Sequence, residues 1–229
     1  TARAPATQTL NQQAVAGGNG AKGSRPGFGA QRNALRAVPV EGLSLPTRTL
    51  VTASTPGADM TPGKFDYTSR PLDVALQQDG WLAVQNQDGT EGYTRNGNIQ
   101  VTATGQLTIQ GRPVVGEAGV ITVPEGSEVT SAADGTISAL NPGDPPNTVA
   151  PVGRLKLVKA DANEVVRGDD GVLRLSQAAT PARGPALPDV ASICVITGVV
   201  DRSNASAVDL LTDMIDIDRP FVLQRAEAC

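Results

Sequence analysis

Gly80-Trp81-Leu82-Ala83-Val84-Gln85, then Gly92-Tyr93-Thr94-Arg95-Asn96-Gly97 and Asn98-Ile99-Gln100-Val101, is the stretch that decides the fold class. Trp81 to Val84 is an apolar run too short for a helix and of the length of a buried strand. Gln87-Asp88-Gly89 behind it is a turn signal. Asn96-Gly97 between β-formers predicts a second turn, a two-residue hairpin.

Downstream the same spacing repeats. Gln106-Leu107-Thr108-Ile109 alternates, and Gly111 turns into Val114-Val115. Ile121-Thr122-Val123, Glu128-Val129-Thr130 and Thr136-Ile137 follow, the last behind Asp134-Gly135. After a Pro-rich loop over 141–151, Arg154-Leu155-Lys156-Leu157-Val158 alternates, and Asp170-Gly171 leads into Val172-Leu173-Arg174-Leu175. Short strands at about 8–12-residue spacing predict a central antiparallel β module over 80–190, ending in an Ala/Pro linker.

Upstream, 37–79 is extended and punctuated by Pro39, Pro46, Pro56, Pro62 and Pro71, which reads as a connector with a short strand over 47–52. Residues 1–36 read as weakly helical. Leu10 and Val15 are the apolar points, and Gly17, Gly18, Gly20 and Gly23 each cost about 1 kcal/mol against Ala in a helix. Pro26-Gly27 is a turn. Over 191–229 the apolar stripe of Val208, Leu211, Met214, Ile215 and Val222 predicts a helix, with Ser206 as a cap and Pro220 as its stop. The expected class is therefore mainly β with terminal α-helices.

Composition narrows the chemistry. The 229 residues are 39% hydrophobic but 3% aromatic, so the core rests on aliphatic side chains. The net charge of −4, with no basic stripe, gives no drive for nucleic-acid binding. There is no histidine, which removes the commonest general base and metal ligand. Cys194 and Cys229 are too few for a zinc site; they could pair, although two free thiols is the favoured reading. No apolar run of about 20 residues predicts a membrane span, and no signal segment opens the chain. The Asp-Gly pairs at 88–89, 134–135 and 170–171 lack the alternating acids of a calcium loop and read as turns. Gly18-Asn19-Gly20 lacks the context of a phosphate loop. Asp213, Asp216 and Asp218 read as solvated charges, and neither Lys64 nor Lys156 has the surroundings of a nucleophile. Trp81, Tyr93 and Phe65 could stack on a sugar, but in strands they are more often core. No cofactor, metal or catalytic residue is expected.

Three segments resemble the family of flagellar axial proteins, the rod, hook and hook-associated subunits. The first is Asn19, Ala21 and Pro26-Gly27-Phe28, although Gly20, Lys22 and Arg25 depart from the family's signature. The second is the opening stretch, continued by Gly105-Gln106-Leu107 and Gly111-Arg112-Pro113-Val114-Val115-Gly116. The third is Gly198-Val199-Val200-Asp201-Arg202-Ser203-Asn204 with Met214-Ile215 and Arg219-x-Phe221, where Asp201 stands for Glu, Ala205 for Val, and Pro220 is foreign. The loop Asn141 to Thr148 before Gly153 to Val158 is similar to the proximal rod branch.

The resemblance implies a structural subunit that polymerises helically and transmits torque from motor to hook. It implies paired N- and C-terminal helices (1–36 and 191–229) in an inner tube, with the β module outside. The assembly interface would be Leu10, Val15, Phe28, Val208, Leu211, Met214, Ile215 and Phe221. Its partners would be copies of itself and other rod proteins, proximal and distal, with no nucleic acid, no small-molecule substrate and no membrane insertion. Its place would be the basal-body rod crossing the periplasm, reached by flagellar type III export without a cleaved signal peptide. The rival reading is a secreted β-rich carbohydrate- or surface-binding module using Trp81 and Tyr93.

Overall fold

The computed structural model describes residues 3–39, 49–59, 61–77, 79–145, 148–161, 164–168, 170–177, 179–206, 211–212 and 215. Helix α1 (Arg3–Lys22) leads into a hairpin of β1 (Gln31–Pro39) and β2 (Thr49–Ala58). The chain continues through β3 (Phe65–Tyr67), β4 (Val74–Leu76), β5 (Trp81–Gln85), β6 (Glu91–Thr94), β7 (Gln100–Val101), β8 (Leu107–Ile109) and β9 (Arg112–Pro113). Next come β10 (Val115–Gly116), β11 (Gly119–Val120), β12 (Glu128–Ser131), β13 (Thr136–Leu140), β14 (Ala150–Arg154) and β15 (Leu157–Val158). The last elements are β16 (Val165–Arg167), β17 (Leu173–Leu175), the single turn α2 (Thr180–Arg183), β18 (Val195–Thr197) and β19 (Val199–Asp201).

The largest sheet has the order β15-β5-β6-β17-β16, and all its pairings are antiparallel. Successive side chains of a strand point to opposite faces, and in β5 both faces are buried. Leu82 and Val84 enter an aliphatic core with Leu76, Ile99, Leu107, Ile137, Leu157 and Ile193. Trp81 and Ala83 enter a second cluster with Tyr93, Val158, Leu173 and Leu187. This is why β5 reads as an unbroken apolar run.

The Asn96-Gly97 hairpin expected from sequence is absent. The tight turn lies one step earlier, where the Asn86 N–H donates to the Thr90 carbonyl at 2.8 Å and Gly89 adopts φ 80°. Asn96 and Gly97 instead lie buried past the end of β6. A Cβ on Gly97 would collide with the Val74 carbonyl oxygen, and the Val74 N–H donates to the Gly97 carbonyl at 3.0 Å. The glycine serves a close backbone crossing with β4, a tertiary demand that outweighs the local turn preference.

Of the two terminal helices expected, the N-terminal one is present among the described residues and the C-terminal one is not. Helix α1 runs unbroken through Gly17, Gly18 and Gly20. Its far end is anchored: Ala16 is buried, and Asn19 both donates to the Gln31 carbonyl and accepts from the Gln31 N–H, each at 2.8 Å. Such anchoring offsets the glycines' cost of about 1 kcal/mol each. Among the described residues the paired C-terminal helix is not found. The segment from 191 returns as two strands: β18 pairs with β4, with Val195 opposite Leu76, and β19 with β3, with Val199 opposite Tyr67. The β-branched run Val195-Ile196-Thr197 and Val199-Val200 suits strands, and Gly198 at φ 74° turns between them. Beyond them Leu211, Thr212 and Ile215 have helical backbone, but among the described residues no second helix packs beside α1.

Candidate functional site

The three sequence segments that carry the family resemblance converge on one buried junction. Strand β19 ends at Asp201, and β6 ends one residue before Arg95. The Arg95 Nε donates to Asp201 Oδ2 at 3.0 Å, with both side chains at most 5% exposed. The other carboxylate oxygen accepts the Gly63 N–H at 2.8 Å. The guanidinium lies 5.5 Å from the centre of the Trp81 ring and reaches the Gly80 carbonyl at 3.4 Å. A buried pair of this kind is costly to break, about 3–5 kcal/mol when one partner is removed, because the other charge is stranded.

The N-terminal segment joins through backbone. The Gly27 N–H donates to the Asp201 carbonyl at 2.7 Å. Gly27 has φ 65°, and a Cβ there would strike the Asn96 backbone. Phe28 is buried, with the Arg167 guanidinium 4.0 Å from its ring centre. Asn204 ties the remaining strands together. Its N–H donates to the Phe28 carbonyl at 3.1 Å, and its Oδ1 accepts from the Ala30 N–H at 2.7 Å. Its Nδ2 donates to the carbonyls of Asp59 and Thr61 at 3.1 and 2.9 Å.

Two further polar clusters brace the large sheet. The Tyr93 hydroxyl accepts the Leu187 N–H at 2.8 Å and donates to Glu91, which pairs with Lys156 at 2.7 Å. Burial pushes the Tyr93 phenol up to about 12, against the lowering effect of the Leu187 N–H and with a further push from Glu91. Asp170 bridges Arg112 and Arg174. Burial raises its carboxyl, but the Val172 N–H and the two arginines outweigh this and hold it below the usual range. The Asp-Gly pairs at 88–89, 134–135 and 170–171 sit in turns, with Gly89, Gly135 and Gly171 at φ 80°, 83° and 85°. The Thr90 hydroxyl and N–H lower the Asp88 carboxyl, and the Thr136 N–H and hydroxyl lower that of Asp134.

Of the interface residues expected from sequence, Phe28 alone is placed in the junction, covered within its own chain. Leu10, Leu211 and Ile215 are exposed, and Val15 is half-buried. Val208, Met214 and Phe221 lie outside the described residues, as does Cys229; Cys194 is exposed and unpaired. Sequence reasoning missed Gly63 and the roles of Arg95, Asp201 and Asn204. The last three stand in the quoted motifs, but beside other polar residues such as Asn96 and Arg202, so the motifs contain them without singling them out. Trp81 and Tyr93 are buried and form no open stacking face, whereas Phe65 is exposed, so the sugar-binding reading loses its basis.

The junction is built from the same three segments that resemble flagellar axial proteins, and comparison with known proteins puts the chain in the class of flagellar hook and rod subunits. Residues 75–139 match the family described as the flagellar hook protein FlgE/F/G D1 domain. The chain is 71% identical to the flagellar basal-body rod protein FlgF of Escherichia coli (strain K12), over 98% of this chain and 89% of that protein. It is 70% identical to the FlgF protein of Salmonella typhimurium (strain LT2), over the same shares. It is 29% identical to the rod protein FlgG of Buchnera aphidicola subsp. Acyrthosiphon pisum, over 70% of this chain and 61% of that protein. The chain belongs to the FlgF family of flagellar basal-body rod proteins. No helix among the described residues is long and apolar enough to cross a membrane.

Proposed function

We propose that this chain is a non-catalytic structural subunit of the flagellar basal-body rod, assembling helically with copies of itself and with other proximal and distal rod proteins to carry torque from motor to hook. The observation that carries the reading is the junction. Gly27, Arg95, Asp201 and Asn204 hold the root of α1 and the strand leading to the C-terminal residues at one point of the β module. Load entering either terminal segment reaches the module through buried contacts rather than a loose tether. The lack of any histidine supports the absence of catalysis. Export without a cleaved signal peptide to a rod crossing the periplasm belongs to the same reading.

Leu10, Leu211 and Ile215 present apolar surface for neighbouring subunits, and Val15, Val208, Met214 and Phe221 complete the proposed interface. Leu211 and Ile215 are one helical turn apart and share a face. The double substitution Leu211→Asp and Ile215→Asp tests the reading. Unfolding stability of the purified chain should change by less than about 0.5 kcal/mol per site, since both side chains are exposed. Incorporation into hook–basal-body particles should be lost. Normal incorporation would remove the proposed assembly mechanism.

A further inference from the structure

Two charged features of opposite sign flank the junction. On one side Arg25, Arg112, Arg167 and Arg174 gather around the carboxylate of Asp170. Arg112 and Arg174 donate to Asp170 Oδ2 at 2.7 and 2.8 Å. Arg167 covers Phe28 and donates to the Gly29 carbonyl. Its guanidinium is held below its ordinary value, first by burial and then by the positive charge of Arg25. The Nε of Arg112 is buried without a hydrogen-bond partner. Arg25 is exposed and pairs with no carboxylate among the described residues. Asp170, with Asp88 in reach of Arg174, does not balance the four guanidinium groups, which leaves a local positive excess on a chain whose net charge is −4.

On the other side Asp79 and Asp161 line a groove of about 350 Å3 beside Trp81 and Pro62, with Asp59 also in its wall. Lys159 lines the same groove, while Arg95, its remaining cation, is paired with Asp201. The groove is therefore acidic on balance. Thr94 borders the arginine cluster and Arg95 borders the groove. Successive side chains of extended backbone point to opposite faces, so the two features look away from each other.

We propose that the arginine cluster docks onto the acidic groove of a second copy of this chain, with Arg25 and its neighbours pairing with Asp79 and Asp161 of that copy. The inference rests on the structural-subunit reading and names the surface that joins one copy to the next. Planar guanidinium groups match carboxylates through paired hydrogen bonds, which a point charge does not. Because the patch and its complement are different surfaces, the contact is head-to-tail, and such contacts propagate as an open helix when the rotation does not close a ring. Complementary charge fixes the orientation in which copies meet.

The test is charge reversal in cells that lack their own copy of the subunit. The variants are Arg25→Glu, the pair Asp79→Lys and Asp161→Lys, and the chain carrying all three substitutions. All three side chains are exposed, so thermal melts of the purified variants should match the unaltered chain. The amount of each chain in purified hook–basal-body particles is then measured. Each one-sided reversal should lower incorporation about tenfold, since like charges then face each other, and the combined reversal should restore most of it. One-sided variants that incorporate normally would overturn the proposal and leave the rod reading standing. Loss without recovery in the combined variant would place a different protein opposite the cluster and overturn the second copy as occupant. Particles that lack even the unaltered chain would overturn the rod reading, and this proposal with it.

Discussion

Leu82, Leu107, Ile137 and Leu157 fill the β module with side chains that differ in shape but not in chemistry. Gly27, Arg95, Asp201 and Asn204 hold the junction through a glycine at positive φ, a buried ion pair and a side-chain amide. Aliphatic packing tolerates exchange so long as volume is kept. The junction does not, because its members are a buried charge pair, an amide using both its ends, and a glycine at positive φ pressed against backbone. The core thus makes the module stable, while the junction determines how the terminal segments leave it.

Single substitutions separate the two regions. Arg95→Met should show the largest effect, a loss of about 3–5 kcal/mol in urea unfolding, because Asp201 keeps its charge in a dry site. A loss below about 1 kcal/mol would make the pair a bystander and dissolve the contrast. Gly97→Ala should cost about 3 kcal/mol, since its Cβ meets the Val74 carbonyl and neither backbone can yield easily. Leu107→Ile, in the middle of the aliphatic core, should cost less than about 1.5 kcal/mol. A larger loss there than at Arg95 would reverse the comparison.

Tyr93 belongs to both regions, with its ring in the second cluster and its hydroxyl in a polar network, and it sharpens the contrast through pH. Its folded value of about 12 lies above the ordinary 10. The neutral phenol is therefore favoured in the folded state, and its stabilising contribution is complete below about pH 10. That contribution should be lost as the pH rises from about 10 to about 12. Tyr93→Phe should be less stable than the unaltered chain at pH 8, and the gap should narrow by pH 11.5. A constant gap in urea midpoints across that range would refute the assignment.

The contrast also explains what the sequence made legible. Trp81 to Val84 announces a strand because β5 is covered on both faces, and Asp88-Gly89 announces its turn because that turn needs only local chemistry. Asn96-Gly97 carries the same local signature, yet its glycine is used by Val74, which no local rule reveals. The glycines of α1 argue against a helix when counted alone; the bond from Asn19 to Gln31, which favours it, crosses elements. Val195 to Val200 is a β-branched run that could have been read as strands, but the apolar stripe behind it suggested a helical tail. The motifs marked Arg95, Asp201 and Asn204 without saying that they meet, because their contact depends on the return of β19 to β3.

That return has a kinetic consequence. Asp201 lies 138 residues beyond Gly63 and 106 beyond Arg95, so the junction cannot close until nearly the whole described chain is present. Closing contacts of such long sequence separation is slow, because loop entropy must be lost before any contact compensates for it. A chain threaded N-terminus first would hold its β3 and β4 edges open, and Arg95 would lack Asp201, until β18 and β19 arrived. The final strand therefore acts as a latch, and the subunit reaches its rigid form only after the rest of the module is in place.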